Sequence, residues 1–291
     1  MGAADVVPGV SGGTIAFITG IYEELIYSIK NAPAAAKDLV KHRSIKMFWS
    51  AVNGKFLLSV FAGIGISIIS LAQIIKYMLA EYPVALNGFF FGLIAASAVI
   101  LAKEIKSKTV FTYIILLAGI AVAYIISSST PATTPDAPWF IFVSGTIAIC
   151  AMILPGISGS FILLLMGKYQ TIIEAVSDVN VMILAVFAAG CAVGLLTFAQ
   201  LLGWLFKKFK SLTMAILTGF MIGSLTKVWP WKNTLQYRMN SKGEQVPFIE
   251  ENILPGDFAG DPMIVITVLL CLLGSGLVLS LQFVKSHKQT V

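Results

Sequence analysis

Charge is what this sequence has least of. Charged residues make up 12% of its 291 positions, about half the roughly 25% of a soluble domain. Histidine is limited to His42 and His287, arginine to Arg43 and Arg238, and cysteine to Cys150, Cys191 and Cys271. The cysteines sit inside apolar runs with no metal or disulfide spacing, so they read as small core hydrophobes. The histidines lie in polar stretches far from any other ligand type. Together these shortages exclude a metal centre. They also leave no catalytic constellation: an enzyme acting on lipid phosphate would want His or Cys close to Arg, and both arginines lie in loops. There is no Walker loop, so no nucleotide site powers the chain, and no cofactor is implied. MGAADVVPGV lacks the basic stretch and apolar run of a secretory signal.

What is present is hydrocarbon. Apolar residues other than glycine make up 57%, glycine adds 25 residues, and mean hydropathy is +0.89. A chain this apolar cannot wet its own surface, which excludes a soluble enzyme, a disordered chain and a nucleic-acid binder. The sequence reads as an integral membrane protein that partners the bilayer.

A membrane span needs about 20 apolar residues. Six stretches qualify: 56–79, 84–102, 110–126, 181–206, 211–228 and 262–283. Two further apolar regions are interrupted. Residues 3–29 break at Pro8-Gly9 and Gly12-Gly13, and residues 139–166 break at Pro155-Gly156 and Gly159. Short legs around a Pro/Gly break suggest re-entrant hairpins, which survive at membrane depth only when buried in protein or lining a wet cavity.

The loops orient these segments. Asn31–Lys55 carries Lys37, Lys41, Arg43, Lys46 and Lys55 against Asp38 alone. Lys103–Lys108, the Lys207-Lys208-Phe209-Lys210 clamp and the tail with Lys285 and Lys288 are basic too. Ser127–Pro138 has Asp136 and no basic residue, and Trp229–Asp261 holds more acids than bases. The positive-inside rule puts the first group and the C-terminus in the cytoplasm. Counting crossings then makes residues 139–166 enter and leave on the outside, while the first hairpin opens inward.

The interrupted regions match each other. Pro8-Gly9-Val10-Ser11-Gly12-Gly13 aligns with Pro155-Gly156-Ile157-Ser158-Gly159-Ser160, and Gly20 and Tyr22 align with Gly167 and Tyr169. Ala72-Gln73-Ile74-Ile75 resembles Ala199-Gln200-Leu201-Leu202. Gly88-Phe89-Phe90-Phe91-Gly92 resembles Gly219-Phe220-Met221-Ile222-Gly223. The order is the same in both halves. The expected fold is therefore all-α and integral to the membrane, a single domain with six full transmembrane helices plus two re-entrant helical hairpins. These form two inverted-topology repeats, residues 1–126 and 139–283, as in many secondary transporters. The first hairpin has only seven residues before Pro8, so it is expected to be half built or to lack its entering leg.

Pro8, Gly9, Pro155 and Gly156 break the helices, and the helices that follow begin with unpaired N–H groups and hydroxyls. That combination suits an anion, phosphate above all. The candidate binding residues are Ser11, Gly12, Gly13, Thr14, Ser158, Gly159 and Ser160, with Ser11 and Ser158 expected to approach each other. The competing structural reading is a turn that lets helices pack closely with serine as a cap. Asp5 and Glu23 are the acids placed to couple transport to protons. Glu24 and Lys168 read as interfacial, and Gln73 and Gln200 as helix–helix hydrogen-bonding groups. The tryptophans, Trp139, Trp229 and Trp231 among them, read as interfacial anchors.

Gly2-Ala3-Ala4-Asp5-Val6-Val7-Pro8-Gly9-Val10-Ser11-Gly12-Gly13-Thr14 with Gly20-Ile21-Tyr22-Glu23, and Leu154-Pro155-Gly156-Ile157-Ser158-Gly159-Ser160, resemble the paired signatures of one membrane family. It is the PopT-type polyprenyl-phosphate (undecaprenyl-phosphate) translocase family of bacteria and archaea, long labelled domain of unknown function 368. The resemblance implies a non-enzymatic lipid transporter in the cytoplasmic membrane. Such a protein would return undecaprenyl phosphate from the outer to the inner leaflet for envelope glycan synthesis. The alternative is a secondary transporter of a small soluble anion. Either carrier could be a homo-oligomer.

Overall fold

A computed structural model describes residues 1–5, 11–132, 134–239 and 245–289. Pro8 and Gly9 and the side chain of Asp5 lie outside what is described. Among the described residues the architecture is all-α apart from one antiparallel strand pair, and six helices are long and apolar enough to cross a membrane. They make the chain a multi-pass membrane protein.

The first half opens with α1 (Gly2–Asp5) and α2 (Gly12–Thr19), which ends on Gly20 in the left-handed region, φ 77°. Helix α3 (Tyr22–His42) and α4 (Ile45–Ala51) follow. The sequence predicts the first hairpin to end at residue 29 with a loop after it, and the structure differs. One helix runs on through Ala34-Ala35-Ala36 to His42, because alanine, leucine and lysine favour helix even where the chain is polar. Pro33 is accommodated inside it.

Three long helices complete this half: α5 (Gly54–Glu81), α6 (Pro83–Glu104) and α7 (Val110–Ser128). Thr109 caps α7 by accepting from the Thr112 N–H, satisfying a donor that hydrocarbon could not.

The second half runs α8 (Pro138–Ile153), α9 (Gly159–Leu165), α10 (Tyr169–Ser177), α11 (Val181–Lys208), α12 (Lys210–Ser224, extended by a 3-10 turn over Leu225–Val228) and α13 (Ile264–Gln289). Between α12 and α13 lies an antiparallel pair, β1 (Lys232–Met239) and β2 (Gln245–Asn252). Trp229 Nε1 donates to the Ile253 carbonyl and Trp231 Nε1 to the Pro262 carbonyl, each at 2.8 Å. These indoles fasten the base of the β-hairpin.

Several local geometries recur. Helices α5 and α11 are both 28 residues long. Each is separated from the next helix by a single residue, Tyr82 (φ −134°, ψ 49°) and Phe209 (φ −134°, ψ 47°). Gly20 and Gly167 both have positive φ.

Packing crosses between the halves. Helix α6 lies on α13, where an added Cβ at Gly88 or Gly92 would overlap Thr267 or the Cys271 carbonyl. Helix α12 lies on α7, with Gly219 and Gly223 against the Leu116 and Ile120 carbonyls. Small residues let backbones approach where no hydrophobic force drives association. Helices α6 and α12 are consequently the inner pair: 61% of each spanning window is buried, against 6% of that in α5. Gln73 and Gln200 are exposed rather than bonded between helices.

Candidate functional site

The second broken motif forms a helical hairpin whose ends meet. Leu165 accepts from the Ala132 N–H at 2.8 Å, and Thr134 Oγ1 donates to the Met166 carbonyl at 2.5 Å. Lys168 closes this end. Its Nζ, buried, donates to the Thr134 carbonyl at 3.0 Å and pairs with Asp136 at 2.5 Å. The ammonium holds the exposed Asp136 carboxyl below the usual range through that hydrogen bond and its charge. Lys168 is thus a buried latch across the open end of the hairpin.

At the other end of this hairpin the two motifs touch. Ser11 is extended and caps α2, accepting from the Gly13 N–H at 3.1 Å. Its hydroxyl also donates to the Met152 carbonyl at 3.0 Å, across 141 residues of sequence. Thr14 Oγ1 accepts from the Gly156 N–H at 2.8 Å. A Cβ at Gly13 would overlap the Ile153 carbonyl oxygen. Ser11, Gly12, Gly13 and Thr14 are all buried. Within the breaking pair Pro155-Gly156, Gly156 has φ +88° and lies so close to Ser224 and the Phe220 carbonyl that a side chain would strike both.

The remaining candidates are a turn away. Ser158 Oγ and Ser160 Oγ share a hydrogen bond of 2.9 Å, Gly159 packs on the Ala148 carbonyl, and Ser160 is exposed. The structure therefore brings Ser11–Thr14 onto Met152–Gly156, with Ser158–Ser160 beside the contact. Glu23 is elsewhere: it pairs with Lys210 at 2.7 Å. Glu24 accepts from Asn53 Nδ2 at 2.6 Å.

Sequence reasoning missed Lys227. It follows Ser224 by three residues, on the same side of the turn that faces the second hairpin. Its Nζ lies 4.3 Å from the centre of the Phe161 ring. Among the described residues three ion pairs form, and Lys227 is in none of them. A lysine two residues before a tryptophan reads as an ordinary interfacial anchor, and its neighbour Phe161 is 66 positions away (227 − 161). No signal in the sequence marks that contact. Among the described residues no group of three His, Cys, Asp or Glu is placed to hold a metal ion.

Comparison with known proteins identifies the family. The family model described as undecaprenyl phosphate translocase-like matches residues 1–246. A polyprenyl-phosphate transporter of Vibrio cholerae serotype O1 is 46% identical over 258 residues, 89% of this chain and 84% of that protein. A polyprenyl-phosphate transporter of Staphylococcus aureus is 33% identical over 248 residues, 79% of this chain and 83% of that protein. No solved structure matches. The matched region contains both broken motifs and their contact, and the chain belongs to the undecaprenyl phosphate translocase-like family.

Proposed function

We propose that this protein carries polyprenyl phosphate, of the undecaprenyl phosphate class, from the outer to the inner leaflet of the cytoplasmic membrane, and that the phosphate is gripped where the two motif tips meet. The observation that carries the reading is the pair of tip-to-tip hydrogen bonds, Ser11 to Met152 and Gly156 to Thr14. Backbone donors and hydroxyls converge there. A phosphate entering between the tips takes over the Gly156 N–H from Thr14 and finds the Ser158–Ser160 pair beside it, with the Lys227 charge on the outer approach. Charge-assisted hydrogen bonds of this kind are the strong ones.

The tips belong to re-entrant hairpins in inverted repeats, residues 1–126 and 139–283. The matched junctions at Tyr82 and Phe209 support this, as do the paired positive-φ glycines and the reciprocal packing of α6 on α13 and α12 on α7. The basic loops put the C-terminus in the cytoplasm. Moving an anionic head inward opposes an inside-negative potential at about 2.3 kcal/mol per charge per 100 mV. Proton coupling offsets that, with Asp5 as the coupling acid. Glu23 is the weaker candidate because Lys210 already holds it. The protein is a carrier, not an enzyme.

The test is uptake of labelled undecaprenyl phosphate placed in the outer leaflet of proteoliposomes, with phosphate-ion uptake measured in parallel. Wild type should move the lipid, and Ser158→Ala with Ser160→Ala should lower its affinity by about tenfold, the worth of one hydrogen bond to a charged group. Uptake of free phosphate without lipid movement would establish the soluble-anion carrier instead.

A further inference from the structure

Helix α4 carries Ile45, Met47, Phe48 and Trp49 and buries none of them. Ile45, Met47 and Trp49 are 74%, 55% and 42% exposed, and Val40, near the end of α3, is 82% exposed. Apolar surface left in water is unfavourable in proportion to its area. Beside these residues in the chain stand Lys37, Lys41, Arg43 and Lys46, all exposed, against Asp38 alone. Among the described residues, none of these five charged groups takes part in an ion pair.

We infer that the corner between α3 and α4, residues 37–49, docks on the headgroups of anionic phospholipids, with Val40, Ile45, Met47 and Trp49 dipping into the boundary of the hydrocarbon. The inference stands apart from the transport reading above. Two observations carry it.

The first is depth. The membrane-spanning stretch of α5 begins at Gly54, and α4 ends at Ala51. Three residues reach at most about 11 Å, so α4 is tethered to the membrane surface. Trp49 lies against Gly54 itself, where an added Cβ would overlap the indole. Asn31 Nδ2 donates to the Ala51 carbonyl at 3.4 Å, and Asn53 Nδ2 donates to Glu24 at 2.6 Å, which ties the end of α4 back to α3. Seven residues are too few to cross the hydrocarbon, which takes about 20. A short segment rich in lysine, with tryptophan and isoleucine exposed, lies in the plane of the interface.

The second is charge. The four cations have no carboxylate partner in the chain, and lipid phosphates complement them. Each such charge strengthens attachment to an anionic surface about fivefold. An acidic protein would answer the charges as well, but the tether to Gly54 sets the apolar residues against the bilayer.

The test places a nitroxide at Met47→Cys in the full chain, with Cys150, Cys191 and Cys271 replaced by alanine and folding verified by thermal unfolding. Discs of phosphatidylcholine with an increasing share of phosphatidylglycerol are compared, with Gly256→Cys, in an exposed loop, as the water-facing reference. The Met47→Cys label should become more accessible to oxygen than to a water-soluble nickel complex as phosphatidylglycerol rises. Adding Lys46→Gln should raise the share needed for half of that change about fivefold. A label as open to nickel as the one at Gly256→Cys would overturn the docking. Immersion that ignores both phosphatidylglycerol and Lys46→Gln would overturn the anionic headgroup as the partner. Dipolar broadening between labels would assign the surface to a second copy of the chain instead.

Discussion

Thr14 and Gly156, 142 residues apart, are joined by one hydrogen bond, the Gly156 N–H donating to Thr14 Oγ1 at 2.8 Å. The donor is buried, so losing the acceptor strands it in a place without water. Thr14→Val should therefore lower stability by about 1–3 kcal/mol, while Thr14→Ser should restore most of it. Thermal unfolding in a mild detergent distinguishes them. Equal melting temperatures for wild type and Thr14→Val would mean that the tips are held by packing alone.

Aligned glycines offer an internal control. Gly190 on α11 packs against the Phe142 carbonyl of α8, whereas its aligned position Gly63 on α5 has nothing within 4 Å of an added Cβ. Gly63→Ala should be neutral or stabilise by up to about 1 kcal/mol through helix propensity. Gly190→Ala should destabilise, because two backbones must part. The comparison fails if both substitutions move the unfolding temperature in the same direction.

The Lys168–Asp136 latch gives a pH dependence. Lys168 holds the folded-state pKa of Asp136 below its unfolded value of about 3.9. The pairing therefore stabilises above that value, and its contribution disappears as pH falls through the lowered folded value. Wild type should lose an increment of thermal stability on the acid side of about pH 4 that Asp136→Asn lacks throughout. Parallel acid profiles for the two proteins would remove the latch from the account.

Topology is open to labelling. Cysteine placed at the exposed Thr130, after α7, should react with an impermeant maleimide added outside cells. Cysteine at Ser44, between α3 and α4, should react only after the membrane is opened. Reaction of both from one side would eliminate the inverted arrangement.

Coupling can be read with an imposed pH gradient. Asp5→Asn should abolish the gradient-dependent part of lipid uptake in proteoliposomes, and Glu23→Gln should leave it intact. Full gradient response in Asp5→Asn would shift the proton to another group.

Much of this was legible because membrane spans are written in hydrophobicity alone. Helix α7 begins at Val110, where the apolar run begins, and α11 at Val181 likewise. The two broken motifs, which match in sequence, are in contact through Ser11 and Met152 and through Thr14 and Gly156. The β-hairpin was missed although Leu235, Tyr237 and Met239 alternate with polar residues, a period of two that the acidic loop composition concealed. Lys227 on Phe161 could not be read at all, since a long-range contact leaves no periodic trace.

The crossed packing of α6 with α13 and α12 with α7 bears on biogenesis. During synthesis α6 and α7 emerge first, with the faces around Gly88, Gly92 and Gly119 complete but without the helices that cover them. The first half must wait in the bilayer with its glycine grooves facing lipid until α12 and α13 arrive. A chain ending before α13 would have the α7 groove covered by α12 and the α6 groove bare.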